Sequence, residues 1–228
     1  MKLDILKTLN EERAARRPVI VVTHQVSGAQ RLVKGPDTRS DPLKGVLEQH
    51  LRSGKSGMED TPEGTVFLTV HVPSPKLVIT GAVHISQTLA PMGQLLGYDV
   101  TIVDPRTAFA SIERFPDVKV IAEWPDVALP PLGIDRYTAF VALTHDPKID
   151  DPGLALALKS DCFYIGALGS RKTHASRVAR LKEERGFTDN DIGRIHAPIG
   201  LDIDAVTPAE IAVAIMGQIT QSLRQEPT

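Results

Sequence analysis

KLVITGAVHISQTLAP, residues 76–91, is the stretch on which the fold turns. An unbroken apolar run, Leu77 to Thr80, meets a glycine, Gly81. A helical pattern follows, with Ile85, Leu89, Met92 and Leu96 along one face. Buried strand, glycine turn and amphipathic helix are how a dinucleotide-binding fold begins. In such a fold the first glycine makes the tight turn, the second lets a pyrophosphate approach the backbone, and the third packs helix on strand. Here only Gly81 is present, and Val83 adds a side chain where the pyrophosphate would pass. His84 falls at the helix start, where exposed amides favour anions. Two readings stay open: a nicotinamide-nucleotide turn, or the same turn put to another use.

Downstream of this stretch, apolar runs alternate with helical patterns. Strands are expected at 98–104, 118–122 and 138–144, with a further one in CFYIG (162–166). Helices are expected at 152–159, 172–185 and 208–223. Near-continuous apolar strands separated by helices imply an α/β fold: a Rossmann-like, mostly parallel sheet with helices on both faces. Thr207, Pro208 and Glu210 sign the start of the last helix with an N-cap, a proline at its first position and a capping-box acid. Upstream, the pattern reads helix (1–10), strand (18–23), turn-rich segment (28–42), helix (43–51), loop (54–64) and strand (65–72). Pro73 and Pro75 interrupt any strand through VPSPK. The expected organisation is a small α+β N-terminal domain, 1–72, and a Rossmann-like domain, 73–228.

Composition bounds the function. With 26 Lys and Arg against 28 Asp and Glu in 228 residues, net charge is -2, so the basic surplus of a nucleic-acid binder is missing. The single cysteine, Cys162, forbids an internal disulfide and any multi-cysteine metal site; it reads as a small buried side chain. The polar start MKLDILKTLNEERAARR lacks the apolar core of a signal peptide, and no stretch approaches the roughly 20 apolar residues of a membrane span. A cytoplasmic protein is expected. Neither a nucleophile elbow nor a strong metal-ligand spacing is present, so no catalytic or metal-binding residue is assigned.

Polar groups gather where the strands end. Asp104 closes the second strand of the domain, where it could meet a ribose hydroxyl, and Arg106 could meet a 2'-phosphate. LTHDPKIDDP (143–152) puts His145 and Asp146 at a strand's carboxyl end, able to move a proton or to hydrogen-bond a polar heterocycle. Asp150 and Asp151 read more simply, as a solvated turn capping the next helix. YIGALGSRKTH (164–174) offers Gly166, Gly169, Ser170 and Arg171 as an anion cradle opening a helix. Trp124 reads as loop packing over the sheet edge.

Taken in order, FLTVHVPSPKLVITGAVHI, DVTIVDPRTAF, ERFP, LTHDPKIDDP, FYIGALGSRKTHASR, RIHAPIGLDI and TPAEIAVAI resemble the xanthine dehydrogenase accessory family, the XdhC/CoxI type. The similarity runs from about Phe67 to Leu223 and is nearer the shorter branch associated with carbon monoxide dehydrogenase-type clusters. The resemblance implies a chaperone that holds molybdenum cofactor (molybdopterin), presents it for sulfuration and passes it to an apo-molybdoenzyme of the xanthine dehydrogenase type. A cysteine desulfurase as partner and a homodimer as assembly are also expected. Carried onto this chain, the ligand edge comprises Gly81, His84, Asp104, Arg106, His145, Asp146 and the segment Gly166 to Arg171, with the phosphate in the GALGSR cradle. Two other readings compete: an NAD(P)-binding oxidoreductase using the groove at Gly81, Asp104 and Arg106, and a structural adaptor in a membrane-associated maturation complex. Three departures stand out. Ala214 and Gly217-Gln218 occupy positions where the family commonly has a serine and then Ala-Glu, Asp204 stands where a glycine is usual, and residues 1–66 match longer members poorly.

Overall fold

The computed structural model describes residues 2–62 and 64–225. Met1, where the first expected helix would start, and Glu63, in the expected loop, lie outside the described residues. The chain divides into two compact units, Met1–Pro73 and Ser74–Thr228.

The first unit is a four-stranded antiparallel sheet in the order β2-β1-β4-β3, with β1 at Val19–His24, β2 at Gln30–Lys34, β3 at Gly57–Thr61 and β4 at Gly64–His71. The central strand β1 is apolar on both sides because both faces are covered. Val19 and Val21 pack with Leu9 of helix α1 (Leu3–Ala14), while Ile20 and Val22 pack with Leu47 of helix α2 (Lys44–Ser53). Strand β3 replaces part of the loop expected at 54–64, and β2 with a 3-10 turn (Gly35–Ser40) fills the expected turn-rich segment. Both strands lie at the sheet edges, and β3 reads GMEDT, so neither carries the apolar alternation that reveals a strand.

The second unit carries six strands in the order β10-β9-β8-β5-β6-β7, every pairing parallel. The strands are β5 (Lys76–Thr80), β6 (Asp99–Val103), β7 (Lys119–Ile121), β8 (Thr138–Ala142), β9 (Tyr164–Ala167) and β10 (Ile195–His196). From β5 the chain winds outward through β6 to β7, then returns to β8 on the other side and continues to β9 and β10. That reversal makes a topological switch point between β5 and β8, the place where doubly wound sheets bind ligands.

Helices cover both faces. On one side, helices α3 (His84–Leu95) and α8 (Pro208–Arg224) bury Leu89, Ile215 and Ile219 against Leu77, Ile79 and Val141. On the other, α4 (Pro125–Leu132), α5 (Pro147–Leu158), α6 (Arg171–Arg185) and the short α7 (Asp189–Ile192) cover Val78, Phe140 and Ile165. The capping box at Thr207 and Glu210 is present as expected. Helix α4 is new, its prolines at 125, 130 and 131 masking it in the sequence, and Trp124 is its N-cap residue. Helix α5 starts at Pro147 rather than 152, because Pro147 takes the first helical position and Pro152 is accommodated inside. Cys162 is buried, as expected.

Close packing of α5 on the sheet depends on Gly153, where a Cβ would lie 2.8 Å from Phe140 Cζ and 3.2 Å from Thr80 Cγ2. Gly153→Ala is therefore expected to destabilise the fold by about 1–3 kcal/mol through overpacking. Gly45→Ala, with open space around its Cβ, should not lower stability. Urea unfolding of the two variants checks the contrast.

Candidate functional site

All six strands being parallel, their carboxyl ends share one edge, and the expected ligand residues of the β5, β6, β8 and β9 loops lie along it. Gly81 is at φ 112, a conformation that only glycine adopts freely, and its missing Cβ leaves room for Thr144 Cγ2, which would stand 2.7 Å away. The β5–α3 and β8–α5 turns thus touch at the switch point. Val83 is the N-cap residue of α3 and packs half-buried on the core, and His84 opens the helix exposed to solvent.

Asp104 is fully buried and internally committed. Its Oδ2 accepts from Ala82 N at 2.8 Å and Arg106 Nη2 at 2.7 Å, and its Oδ1 from Arg106 N at 3.0 Å and Nε at 2.9 Å. Burial pushes this carboxyl up, but the bonds from Arg106 and Ala82 outweigh it and hold its pKa below the usual range. Arg106 in turn stacks over the Phe109 ring at 4.4 Å. The pair is a strap tying the end of β6 to the glycine turn. Four donors already occupy the oxygens a ribose would need, so the geometry argues against the nucleotide reading of Gly81, Asp104 and Arg106.

The β8–α5 turn is built around a different acid. Asp150 and Asp151, expected in a solvated turn, both lie inside α5, buried to 1% and 6% exposure. Asp150 Oδ1 accepts from Thr144 Oγ1 at 2.7 Å and Thr144 N at 3.3 Å, and its Oδ2 from His145 N at 3.1 Å. Burial pushes the Asp150 carboxyl up, against these hydrogen bonds and the charge of Arg177. The grip holds His145 at φ 63, a left-handed conformation costing about 1–2 kcal/mol for a residue with a Cβ. His145 is exposed, and strain of this kind gathers at functional sites. Asp146 is the cap the sequence assigned to its neighbours, accepting from Lys148 N at 2.9 Å.

Beside His145 lies a cavity of about 260 Å³ between α5 and α6. From the α5 side Pro147, Asp150 and Asp151 line it; from α6 come Lys172, Thr173, Ser176, Arg177 and Arg180. Of the expected site residues it takes in His145 alone. Gly166 lies within β9, where a Cβ would meet Ile199 Cδ1 at 2.5 Å, so packing accounts for it. Gly169 (φ 136) and Ser170 form the turn into α6, where Ser170 Oγ caps Thr173 N at 3.2 Å; Arg171 is exposed on the first turn. Sequence reasoning passed over Arg177 and Arg180. The available signal was an arginine, Arg177, one helical turn before the buried Leu181 on the core-facing stripe of α6.

The family departures also find their places. Gln218 Oε1 accepts from Tyr164 Oη at 2.7 Å and Gly200 N at 2.9 Å, a strap between β9, the β10–α8 loop and α8. Ala214 stands against Gly200, 3.1 Å from where a Cβ there would be. Asp204 has φ 56, which explains a glycine's suitability at that position.

A doubly wound parallel sheet with polar loops at its switch point defines a Rossmann-type domain. The chain belongs to the XdhC family: the XdhC Rossmann domain model matches residues 77–219. The Escherichia coli (strain K12) protein YqeB is 32% identical over 165 residues, 72% of this chain and 30% of its own. A Bacillus subtilis (strain 168) protein, named as a probable xanthine dehydrogenase component, is 29% identical over 70% of this chain and 46% of its own. The molybdenum cofactor insertion chaperone PaoD of Escherichia coli (strain K12) is 30% identical over 68% of this chain and 42% of its own. The matches thus span less than half of each of these relatives. A crystal structure described as a xanthine dehydrogenase from Bacillus halodurans shares the fold, with TM-score 0.69 at 23% identity, covering 97% of this chain and 67% of that one.

Asp104→Asn should cost about 2 kcal/mol, less than a fully buried pair because the Arg106 side chain is 34% exposed. The depressed pKa fixes the pH sign. The stabilisation is present above the unfolded value of about 4 and is lost as pH falls through the folded one. The gap in urea midpoint between wild type and variant should therefore narrow below about pH 4; a gap that widened there would contradict the strap.

Proposed function

We propose that the chain is a maturation factor that holds molybdenum cofactor at the carboxyl edge of its parallel sheet and delivers it to a molybdoenzyme of the xanthine dehydrogenase type. One observation carries the reading: His145, held in a strained left-handed turn at the switch point, stands exposed beside a cavity lined with cationic and hydroxyl side chains. A pterin presents donors and acceptors in one plane, which suits an imidazole and the Asp146 carboxylate, and its phosphate suits the basic wall. The relatives named for molybdenum cofactor insertion and xanthine dehydrogenase support the same reading. Holding and releasing a cofactor needs complementary contacts rather than an activated nucleophile, and the site's chemistry is of that kind. The oxidoreductase alternative is disfavoured by Asp104, whose oxygens are filled from within.

Co-expression with molybdenum-cofactor biosynthesis, followed by denaturation and assay of released pterin and nucleotide, tests the proposal. Stoichiometric pterin is expected; NAD(P) without pterin would overturn it. Asp146→Asn, which keeps a capable helix cap, should lower retention while leaving the fold unaltered.

His145→Gly separates strain from contact. Removing the Cβ should raise stability by up to about 1 kcal/mol while lowering pterin retention by roughly tenfold, the worth of about 1.4 kcal/mol of contact. Retention unchanged in both Asp146→Asn and His145→Gly would remove this site.

A further inference from the structure

Four buried side-chain polar atoms have no hydrogen-bond partner among the described residues, and three of them lie on α6: His174 Nδ1, Arg177 Nε and Arg177 Nη1. Arg177 is the largest of the fully buried side chains, at 2% exposure. Its one hydrogen bond runs from Nη2 to Leu168 O at 2.8 Å, and Asp150 Oδ2 stands at 4.0 Å, beyond hydrogen-bond reach. Either paired face of the guanidinium, Nε with Nη2 or Nη1 with Nη2, therefore keeps an unused donor. A buried cation left in this state is costly unless something completes it.

The cavity lies against this residue. Its wall carries Lys172, Arg177 and Arg180 against Asp150 and Asp151. Both carboxylates are already engaged. Arg180 holds Asp151 with bonds of 2.6 and 3.2 Å, and Thr144 and His145 occupy Asp150. The surplus is cationic, with hydroxyls from Thr173 and Ser176 beside it. A volume of about 260 Å³ is several times the roughly 30 Å³ of a liquid water molecule, enough for a hydrated tetrahedral anion.

We propose that this cavity is a site for a phosphate group, with Arg177 as its buried donor and Lys172 as the second charge at its rim. The phosphate site thus moves from the GALGSR turn, whose Ser170 is spent on capping, to the face of α6 one and two turns further on. The proposal deepens the cofactor reading and rests on it for the organic part of the ligand, but the anion chemistry stands without it. Burial also lowers the Arg177 pKa, against the charges of Asp150 and Asp151, in keeping with a guanidinium short of partners.

Isothermal titration of the full chain with inorganic phosphate, and separately with a nucleoside 5'-monophosphate as a plain phosphate monoester, tests it. Saturable binding of either is expected. Lys172→Ala, an exposed substitution, should weaken it about tenfold, and Arg177→Gln should abolish it, with melting temperature followed in parallel. If Arg177→Gln fails to fold, Lys172→Ala decides alone. Tighter binding of the monoester points to an organic phosphate as the natural ligand, and equal binding to free phosphate; both support the site. No binding of either, or binding indifferent to Lys172→Ala and to any folded Arg177→Gln, overturns it. Pterin retained by a chain that binds no phosphate would sink this inference and leave the carrier reading. Phosphate bound at the cavity by a chain that retains no pterin would do the reverse.

Discussion

The Asp150 carboxylate is the constraint on which the rest of the site depends. Buried inside α5, it reaches back to the turn that precedes its own helix and accepts from the Thr144 and His145 backbone amides. That grip bends His145 into a left-handed conformation and fixes Thr144 against Gly81, so the two loops of the switch point share one geometry. The same carboxylate faces Arg177 at 4.0 Å, close enough to offset its charge and too far to take its protons. One acid therefore shapes the turn and leaves an arginine incompletely paired beside it.

Incomplete pairing has an energetic meaning. A fully satisfied buried network rigidifies a core, whereas a half-satisfied one is worse than an apolar substitute. Arg177 sits on the same stripe as Leu181, where an apolar residue would pack at no electrostatic cost. Asp104 and Arg106 provide the contrast within the same sheet edge. There each oxygen has its donors, the guanidinium lies over an aromatic ring, and the assembly reads as a closed strap. The two arginines differ in what they still have to offer: the Arg106 guanidinium is engaged, and Arg177 keeps donors unused.

The architecture was legible because its signals are local. Continuous apolar strands, the Gly81 turn and the Thr207 capping box each follow from a few adjacent residues. Edge strand β3 and helix α4 were not legible, since polar residues hide the one and three prolines the other. At the site, the place of His145 and Asp146 at a strand end marks them out. A helix begun at Pro152 leaves Asp150 and Asp151 in the solvated turn before it. With the helix starting at Pro147, both acids fall on its buried side and the cap passes to Asp146. The pairing of α5 with α6 brings Asp151 to Arg180 across 29 residues, and no spacing rule in one sequence reveals such a contact.

Val83 and Asp104 mark where this chain departs from the dinucleotide fingerprint. The second fingerprint glycine exists to let a pyrophosphate come close, and here a valine stands in its place, half-buried against the core. The acid at the end of the second strand exists to meet a ribose, and here it holds the glycine turn and its own arginine. Both departures fall on the β5–β6 side of the switch point. On the β8–β9 side stand the exposed His145 and the cavity-lining face of α6. A fold that carries its ligand groups on loops at the switch point can exchange its ligand without altering its core. The apolar contacts of β5, α3 and α8 need no adjustment for that exchange.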